Sequence, residues 1–306
     1  MESAQQNTAP PVEAEDKEAR INRNPHADFA AVEAGRPDYP HSQAWSWTKC
    51  PDPKWRAGDG AGSGSNQQQQ QHWRDRRCVT IDPAQRPVVL NYKLHVSTTV
   101  PRPIALVGTV DGEGRPNLAP FSYWQNVTMD PPTYSISFVG ETPGDTLSNI
   151  LATGECTISM TSDWVLEAMN MASVNAPPGV SEWALSGLTP RASESVRPAS
   201  VLESPFAAEC RLHSHHDIKG VRNGGKTTAT LVLLEVVRWH VWEDVLGEDG
   251  CSVDLEVMRP VWRAGGIVYG TCFSGFELPR PEAFRVLRLD ERIRRLVGEG
   301  VGVREG

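Results

Sequence analysis

The sequence lacks the features that place a chain in a membrane, on a nucleic acid or in a secretory route. No run approaches the roughly 18 apolar residues that a membrane-spanning helix needs. The polar, acidic N-terminus has no apolar segment typical of a secretory signal. A formal net charge of −8, with no basic tract over the central region, disfavours nucleic acid as a partner. We therefore expect a cytoplasmic protein without a membrane or nucleic-acid partner.

Paired cysteine motifs are also missing. The six cysteines are far apart, none forms a CxxC pair, and Cys156 and Cys210 lie inside apolar, strand-like runs. Buried free thiols are the simplest interpretation. His213, His215 and His216 are close together, but their spacing is poor for a closed metal site without distant ligands. We expect a solvated strand end there, and no metal.

Two glycine-rich segments imitate nucleotide-binding motifs without the structural context of those motifs. The segment from Gly58 to Gln71 is of low complexity, with no strand before it and no amphipathic helix after it. Residues 220–227, GVRNGGKT, fit the phosphate-loop pattern GxxxxGK[ST], but the strand-like run TATLVLLEVV follows where a helix is required. The second segment is therefore predicted to be a hairpin loop, with NTP binding as the disfavoured alternative.

The chain is 39% hydrophobic and can bury a core. Its apolar patterns predict mainly strands: Ile104–Val110, a run from Asn117 to Asp130, Tyr134–Phe138, Glu155–Met160, Ala207–His213, Thr228–Trp242 and a short final one, Gly265–Phe273. Helices are predicted from the N-cap Asp145 to Gly154, over Ser162–Ala172 with Trp164 and Met169 inward, and over Pro281–Val297. No βαβ rhythm is present, which disfavours a doubly wound sheet.

The most informative stretch is residues 98–132. A strand ends at the turn Asp111–Gly114, and a second extended run closes at Asp130-Pro131-Pro132, which predicts a β-hairpin. Its arms have little acidic charge and carry polar groups suited to a neutral, polar aromatic ligand. These groups are Thr109, Asn117, Ser122, Tyr123, Trp124, Gln125 and Asn126.

An ordered set of segments resembles the flavin-reductase-like family of FMN-binding split β-barrels, and the later ones resemble its fungal branch. The segments are PRPIALVGT, GxPNLAPFSYW, DPP, DTLSNI, NAPPGVSEWALSGL and RPVWRAGGIVYG. The resemblance implies a mainly β fold: a six-stranded antiparallel split barrel of Greek-key character, with peripheral helices. It also implies a homodimer with FMN at the interface between the two barrels.

The resemblance divides the chain into three parts. Residues 1–79 are an irregular N-terminal arm with a low-complexity loop, residues 80–282 are the FMN-binding split barrel, and residues 283–306 are a C-terminal helix and tail. The arm is too aromatic for a free linker. We expect Trp45, Trp47 and Trp55 to lie against the barrel or a dimer partner.

The resemblance also implies FMN as cofactor, NAD(P)H as co-substrate and a set of site residues. Asn117–Asn126 would contact the isoalloxazine ring, with Ser122, Tyr123 and Trp124 nearest, while Arg102, Asn126, Asp145 and Thr146 would lie near the ribityl-phosphate. His240 is the candidate catalytic residue, facing the flavin or the nicotinamide; its alternative is a satisfied structural histidine. One departure concerns Gly144, which stands where the family often has a lysine before Asp-Thr.

The implied function is an FMN-dependent oxidoreductase that takes hydride from NAD(P)H and passes electrons to flavin, oxygen or an organic small molecule. Two alternatives stay open. One is an oxidative tailoring enzyme of a secondary metabolite, with the loop from Asn175 to Gly187 as a lid. The other is a non-catalytic module that binds flavin or haem.

Overall fold

The computed structural model describes residues 25–60, 76–177 and 180–298, and these form two compact units. The first unit contains residues 25–42 and 86–272, and the second contains residues 43–60, 76–85 and 273–298. The predicted low-complexity loop lies largely outside the described residues. Part of the predicted arm thus belongs to the same unit as the barrel.

The helices and strands are as follows, in chain order. The helices are α1 (Phe29–Ala34), α2 (Val88–Thr98), α3 (Asp145–Thr153), α4 (Leu166–Met171), α5 (Glu182–Ser186), α6 (Leu255–Met258), α7 (Phe284–Leu287) and α8 (Glu291–Val297). The strands are β1 (Ser46–Trp47), β2 (Arg102–Pro103), β3 (Ala105–Val110), β4 (Pro116–Phe121), β5 (Trp124–Met129), β6 (Pro132–Val139), β7 (Glu155–Met160), β8 (Pro190–Arg191), β9 (Ser200–Val201), β10 (Phe206–Lys219), β11 (Thr227–Val241), β12 (Val261–Arg263), β13 (Tyr269–Thr271) and β14 (Ser274–Gly275).

The main sheet is antiparallel and has the strand order β4-β3-β7-β10-β11-β6-β5. Strands β4 and β5 lie at its opposite edges, yet only Ser122 and Tyr123 separate them in the chain. The sheet must therefore curl until its two edges meet at this two-residue corner, which makes it a barrel. Counted as one bent strand, β4 and β5 bring the barrel to the six predicted strands. The predicted mainly β split-barrel fold is confirmed.

The barrel strands build two hydrophobic cores. Alternation along β3 sends Ala105 and Val107 into one cluster, shared with Ile136 and Ile158, and sends Leu106 into the other. Helices α4 and α5 cover the second cluster, to which they contribute Met169 and Trp183. Because both faces of β3 are buried, this strand is fixed rigidly between the cores. That rigidity matters because Thr109, near its end, belongs to the site described below.

The predicted hairpin loop is confirmed. Strands β10 and β11 pair along their length, and the Gly220 amide donates to the Lys226 carbonyl at 2.8 Å across the turn. Gly224 and Gly225 adopt positive φ angles of 72° and 79°, which a turn with glycine tolerates best. The three neighbouring histidines are exposed on β10, as expected for a solvated strand. The phosphate-loop pattern therefore lies in a β-hairpin.

Some helix predictions need correction. Trp164 was expected to face inward but is 42% exposed, since its residue lies in a 3-10 turn (Asp163–Val165) that precedes α4. The predicted C-terminal helix is two short helices, because Asp290 caps a new one and accepts from the Arg292 amide. Gly144, not Asp145, occupies the N-cap of α3. Helix α2 has no counterpart among the predictions.

The second unit has little regular structure. Strands β1 and β14 pair in parallel, and the Trp45 ring packs closely over Gly275. Trp47 and Trp55 are 67% and 52% exposed in the single chain, so their contact with a dimer partner stays a prediction. In the described ranges, no helix has the length and apolar character to cross a membrane.

Candidate functional site

A pocket with a cavity volume of about 300 Å³ opens where β4 meets the start of α3. This volume is at the lower end of the usual range for ligand sites. The walls come from four segments of the chain. They are residues 117 and 119–121 on β4, residues 138–140 and 142–147 from the end of β6 into α3, residues 172–176, and Glu182.

The start of α3 supplies backbone amide donors to the wall of the pocket. Gly144 occupies the N-cap position in an extended conformation, with φ of −77° and ψ of 174°. Because glycine has no side chain, it offers no acceptor to the amides of the first helical turn. Asp145 and Thr146 follow directly and line the cavity. The helix ends at Gly154, whose φ is +73°. An uncapped helix N-terminus of this length favours an anionic ligand group.

A buried polar network fixes this helix against the hairpin β3–β4. The Asn117 Nδ2 atom donates to Thr146 Oγ1 at 2.9 Å and to Thr109 Oγ1 at 3.2 Å. Asn149 Nδ2 donates to the same Thr109 oxygen at 3.1 Å. All four side chains are buried, so hydrogen bonds made here are protected from water. The network holds the donor end of the pocket in place.

Three of the predicted cofactor residues, Thr109, Asn117 and Thr146, therefore meet in one network, and Asp145 lines the same cavity. Asn149 was missed. It lies three residues after Thr146 on the same helix, and that spacing places both on one face. The three-residue spacing of Thr146 and Asn149 in DTLSNI could therefore have indicated that Asn149 belongs to the site.

Arg102 lies elsewhere, buried at the start of β2 and in contact with the end of α2. Its guanidinium donates to the carbonyl oxygens of Val96, Thr99 (2.7 Å) and Ala264 (2.8 Å), and its Nε to Ser122 Oγ at 3.4 Å. Burial lowers the pKa of Arg102. This geometry ties three backbone segments together, and Arg102 does not line the pocket.

The other predicted contacts form the corner between β4 and β5. Tyr123 packs edge-on against His95, with ring centroids 6.1 Å apart, and burial raises the pKa of its phenol. Trp124 is buried against Tyr134, and its Nε1 has no hydrogen-bond partner among the described residues. Asn126 is exposed on β5. None of these, nor Ser122, lines the described cavity.

His240 is paired with a buried carboxylate. Its Nε2 lies 2.7 Å from Glu209 Oε1, and the same carboxylate accepts from the amides of Glu194 (2.8 Å), Ser195 (2.6 Å) and Val196 (3.1 Å). Burial raises the pKa of Glu209, but these hydrogen bonds outweigh burial and lower it overall. His240 thus helps to hold the loop at 194–196, and it does not line the cavity.

Fold and site together define a split-barrel protein with a ligand pocket at a helix N-terminus. The model of the flavin reductase like domain family matches residues 97–258, and the chain belongs to this family. An uncharacterised protein from Halalkalibacterium halodurans is 37% identical over 195 residues, covering 62% of this chain and 91% of its own. The family and its relatives support a flavin oxidoreductase as the general class.

Solved structures agree with this assignment. Nitrilotriacetate monooxygenase component B from Bacillus cereus is 32% identical, with a TM-score of 0.63 over 66% of this chain and 100% of its own. The 2-nitrobenzoate 2-nitroreductase of Pseudomonas fluorescens is 25% identical, with a TM-score of 0.59 over 66% and 96%. A Shewanella frigidimarina protein described with a split barrel domain is 24% identical, with a TM-score of 0.56 over 65% and 96%, and supports the fold alone. These relatives are bacterial, so the fungal branch stays a prediction.

Proposed function

We propose that this protein is an FMN-dependent oxidoreductase that uses NAD(P)H and passes electrons to free flavin, oxygen or an organic acceptor. One observation carries the choice of FMN: the N-terminus of α3, which lines the described cavity, has no side-chain cap and is fixed by a buried network. Such an end suits a phosphate group. When bound, FMN would supply the hydride chemistry, and the protein would supply placement and electrostatics.

The residues of the pocket fit the two halves of this cofactor. The first-turn amides of α3 and the Thr146 hydroxyl would hold the phosphate, with Asn117 positioning that hydroxyl. Phe121 and Phe138 line the same cavity, with ring centroids 4.8 Å apart, and offer an apolar wall to a flat aromatic ring. The amides of α3 would thus take over the role of the positively charged lysine that the family often has at the position of Gly144.

We also propose a homodimer, because the single chain leaves several large apolar side chains exposed on α2 and β5. Helix α2 exposes Val88, Tyr92 and Leu94, and β5 exposes Val127 and Met129, the last to 89%. A dimer partner that covers these side chains would remove them from water. The corner from Ser122 to Asn126 would then reach the flavin held by the partner. Sedimentation at micromolar concentration should show a dimer; a monomer that still holds FMN tightly would contradict the proposal.

The test of function is an anaerobic visible spectrum with and without NADPH. Protein incubated with FMN and dialysed should keep about one flavin per chain, and NADPH should bleach it. A protein that keeps flavin which no nicotinamide reduces would be a binding module, and the enzyme proposal would fall. A protein that retains no flavin would contradict the cofactor.

Replacing Arg102 with alanine should lower the affinities for FMN and riboflavin by the same factor, because the guanidinium contacts backbone carbonyls of the fold and does not line the pocket. Three carbonyl oxygens would lose their donor, and we expect a loss of about 3 kcal/mol in the free energy of unfolding. Urea denaturation and flavin-fluorescence titration measure the two effects. Arg115→Ala, an exposed arginine in the β3–β4 turn, is the matched control. A loss of affinity for FMN but not for riboflavin would instead indicate that Arg102 binds the phosphate.

A further inference from the structure

The wall of the pocket contains a carboxylate that makes no described contact with the rest of the fold. Glu182, the first residue of α5, is only 8% exposed, and its side chain lines the cavity. Within the described ranges, no hydrogen bond or ion pair reaches that side chain. Neither oxygen of this carboxylate is among the fully buried, unpaired side-chain atoms of the described residues, so the carboxylate is open to the cavity, where a ligand group can meet it.

Other buried carboxylates of the same unit show what a structural role looks like. Glu209 accepts from three backbone amides and pairs with His240. The Asp163 carboxylate accepts from Tyr39 Oη at 2.8 Å and from Arg259 Nε at 2.8 Å. Glu182 has no comparable set. Its carboxylate is therefore available to a ligand in the cavity.

The chemistry of the cavity limits what that partner is. The two charged residues of the described lining, Asp145 and Glu182, are both acidic. An ionised carboxylate only accepts hydrogen bonds, so the ligand group that meets Glu182 must donate. A phosphate dianion and an apolar ring edge cannot do so. Hydroxyl groups can, and they meet a carboxylate without adding charge to the cavity.

We propose that Glu182 binds the hydroxyl groups of a polyol chain that connects an anionic end, held at α3, to an aromatic ring. This inference rests on the proposed function, in which the chain is the ribityl chain of FMN. The donor end at α3 and the acceptor at Glu182 would together recognise the connecting chain as well as its phosphate. Glu182 is thus a specificity-determining residue for flavins with a hydroxylated side chain.

The experiment compares Glu182→Leu and Glu182→Gln with wild type in flavin-fluorescence titrations of FMN, riboflavin and lumiflavin, the ring without the polyol chain. Glu182→Leu should weaken FMN and riboflavin about tenfold each, the value of a hydrogen bond to a charged group, and leave lumiflavin unchanged. Glu182→Gln, which keeps one acceptor oxygen, should bind FMN and riboflavin with affinities between those of wild type and Glu182→Leu. Glu167→Gln, an exposed carboxylate on the neighbouring helix α4, is the control and should change nothing.

Thermal unfolding of the ligand-free variants separates a binding role from a structural one. Removing a charge that no described group pairs with should leave the melting temperature unchanged or raise it. A lower melting temperature together with equal loss of all three flavins would overturn the inference, as would unchanged FMN and riboflavin affinity. If wild type binds no flavin at all, the proposed function fails and takes the inference with it. Flavin binding that Glu182→Leu leaves intact removes the inference alone.

Discussion

Replacing Glu209 with alanine is expected to destabilise the barrel by about 3–5 kcal/mol, enough to unfold many domains. The Glu209 side chain is completely buried and accepts from three consecutive backbone amides, at residues 194–196, besides contacting His240. Without the carboxylate, three amide donors and an imidazole would lose their shared acceptor in a largely buried part of the fold. Urea denaturation followed by circular dichroism measures the loss.

The pH dependence of stability adds a second readout. The folded-state pKa of Glu209 is lowered, so its contribution is full above the unfolded value of about 4.3 and is lost as the pH falls below it. Wild type should therefore lose stability in this acid window more steeply than Glu209→Ala. Glu155→Ala, which removes a 20% exposed carboxylate bound to Arg197, is the milder control. A Glu209→Ala protein of wild-type stability that lost activity would instead favour a catalytic His240.

Thr146→Val should lower the affinity for FMN by about ten- to a hundredfold and the affinity for riboflavin by less than about threefold. The reason is that the hydroxyl would donate one hydrogen bond to the charged phosphate, which riboflavin lacks. Asn117 already donates to the Thr146 oxygen, which leaves the hydroxyl hydrogen to point into the pocket. Valine keeps the shape of the side chain but removes this donor. Fluorescence titration with both flavins measures the ratio of the two effects.

Two further variants on α3 sharpen this prediction. Thr153→Val, at the far end of the same helix, removes a hydroxyl that donates to the Asn149 carbonyl and accepts from the Glu155 amide. It does not line the pocket and should not alter either affinity. Gly144→Lys adds the cation that this chain lacks, and should tighten FMN about tenfold with little effect on riboflavin. Equal changes for both flavins in Thr146→Val would show that the phosphate lies elsewhere.

The strands were predictable because their patterns are local. Alternation over Tyr134–Phe138 and the turn at Asp111–Gly114 specify strand and hairpin without reference to the rest of the chain. The bend at Ser122 and Tyr123 was not predictable, because it arises from the barrel closing on itself. Helix α2 was missed since its apolar residues follow no single face, and only Val96 is buried.

The site was predictable where side chains act close to their own strand or helix. Thr109 faces Asn117 across one hairpin, and Thr146 opens a helix with a recognisable start. Arg102 and His240 differ, because each also binds a group from a segment far away in sequence, the Ala264 carbonyl and the Glu209 carboxylate. Glu182 gave no sequence signal, since a glutamate at a helix start is ordinary until its burial is known.

The corner at Ser122 and Tyr123 also constrains the order of folding. The chain makes β4 and β5 one after the other, but the strands that separate them in the sheet extend to residue 241. The hairpins β3–β4, β5–β6 and β10–β11 can each form locally, whereas closure must wait until β7, β10 and β11 are joined between the edges. Contacts of such long sequence separation make folding slow. We expect β10–β11 to form early and the pairing of β11 with β6 to be among the last steps.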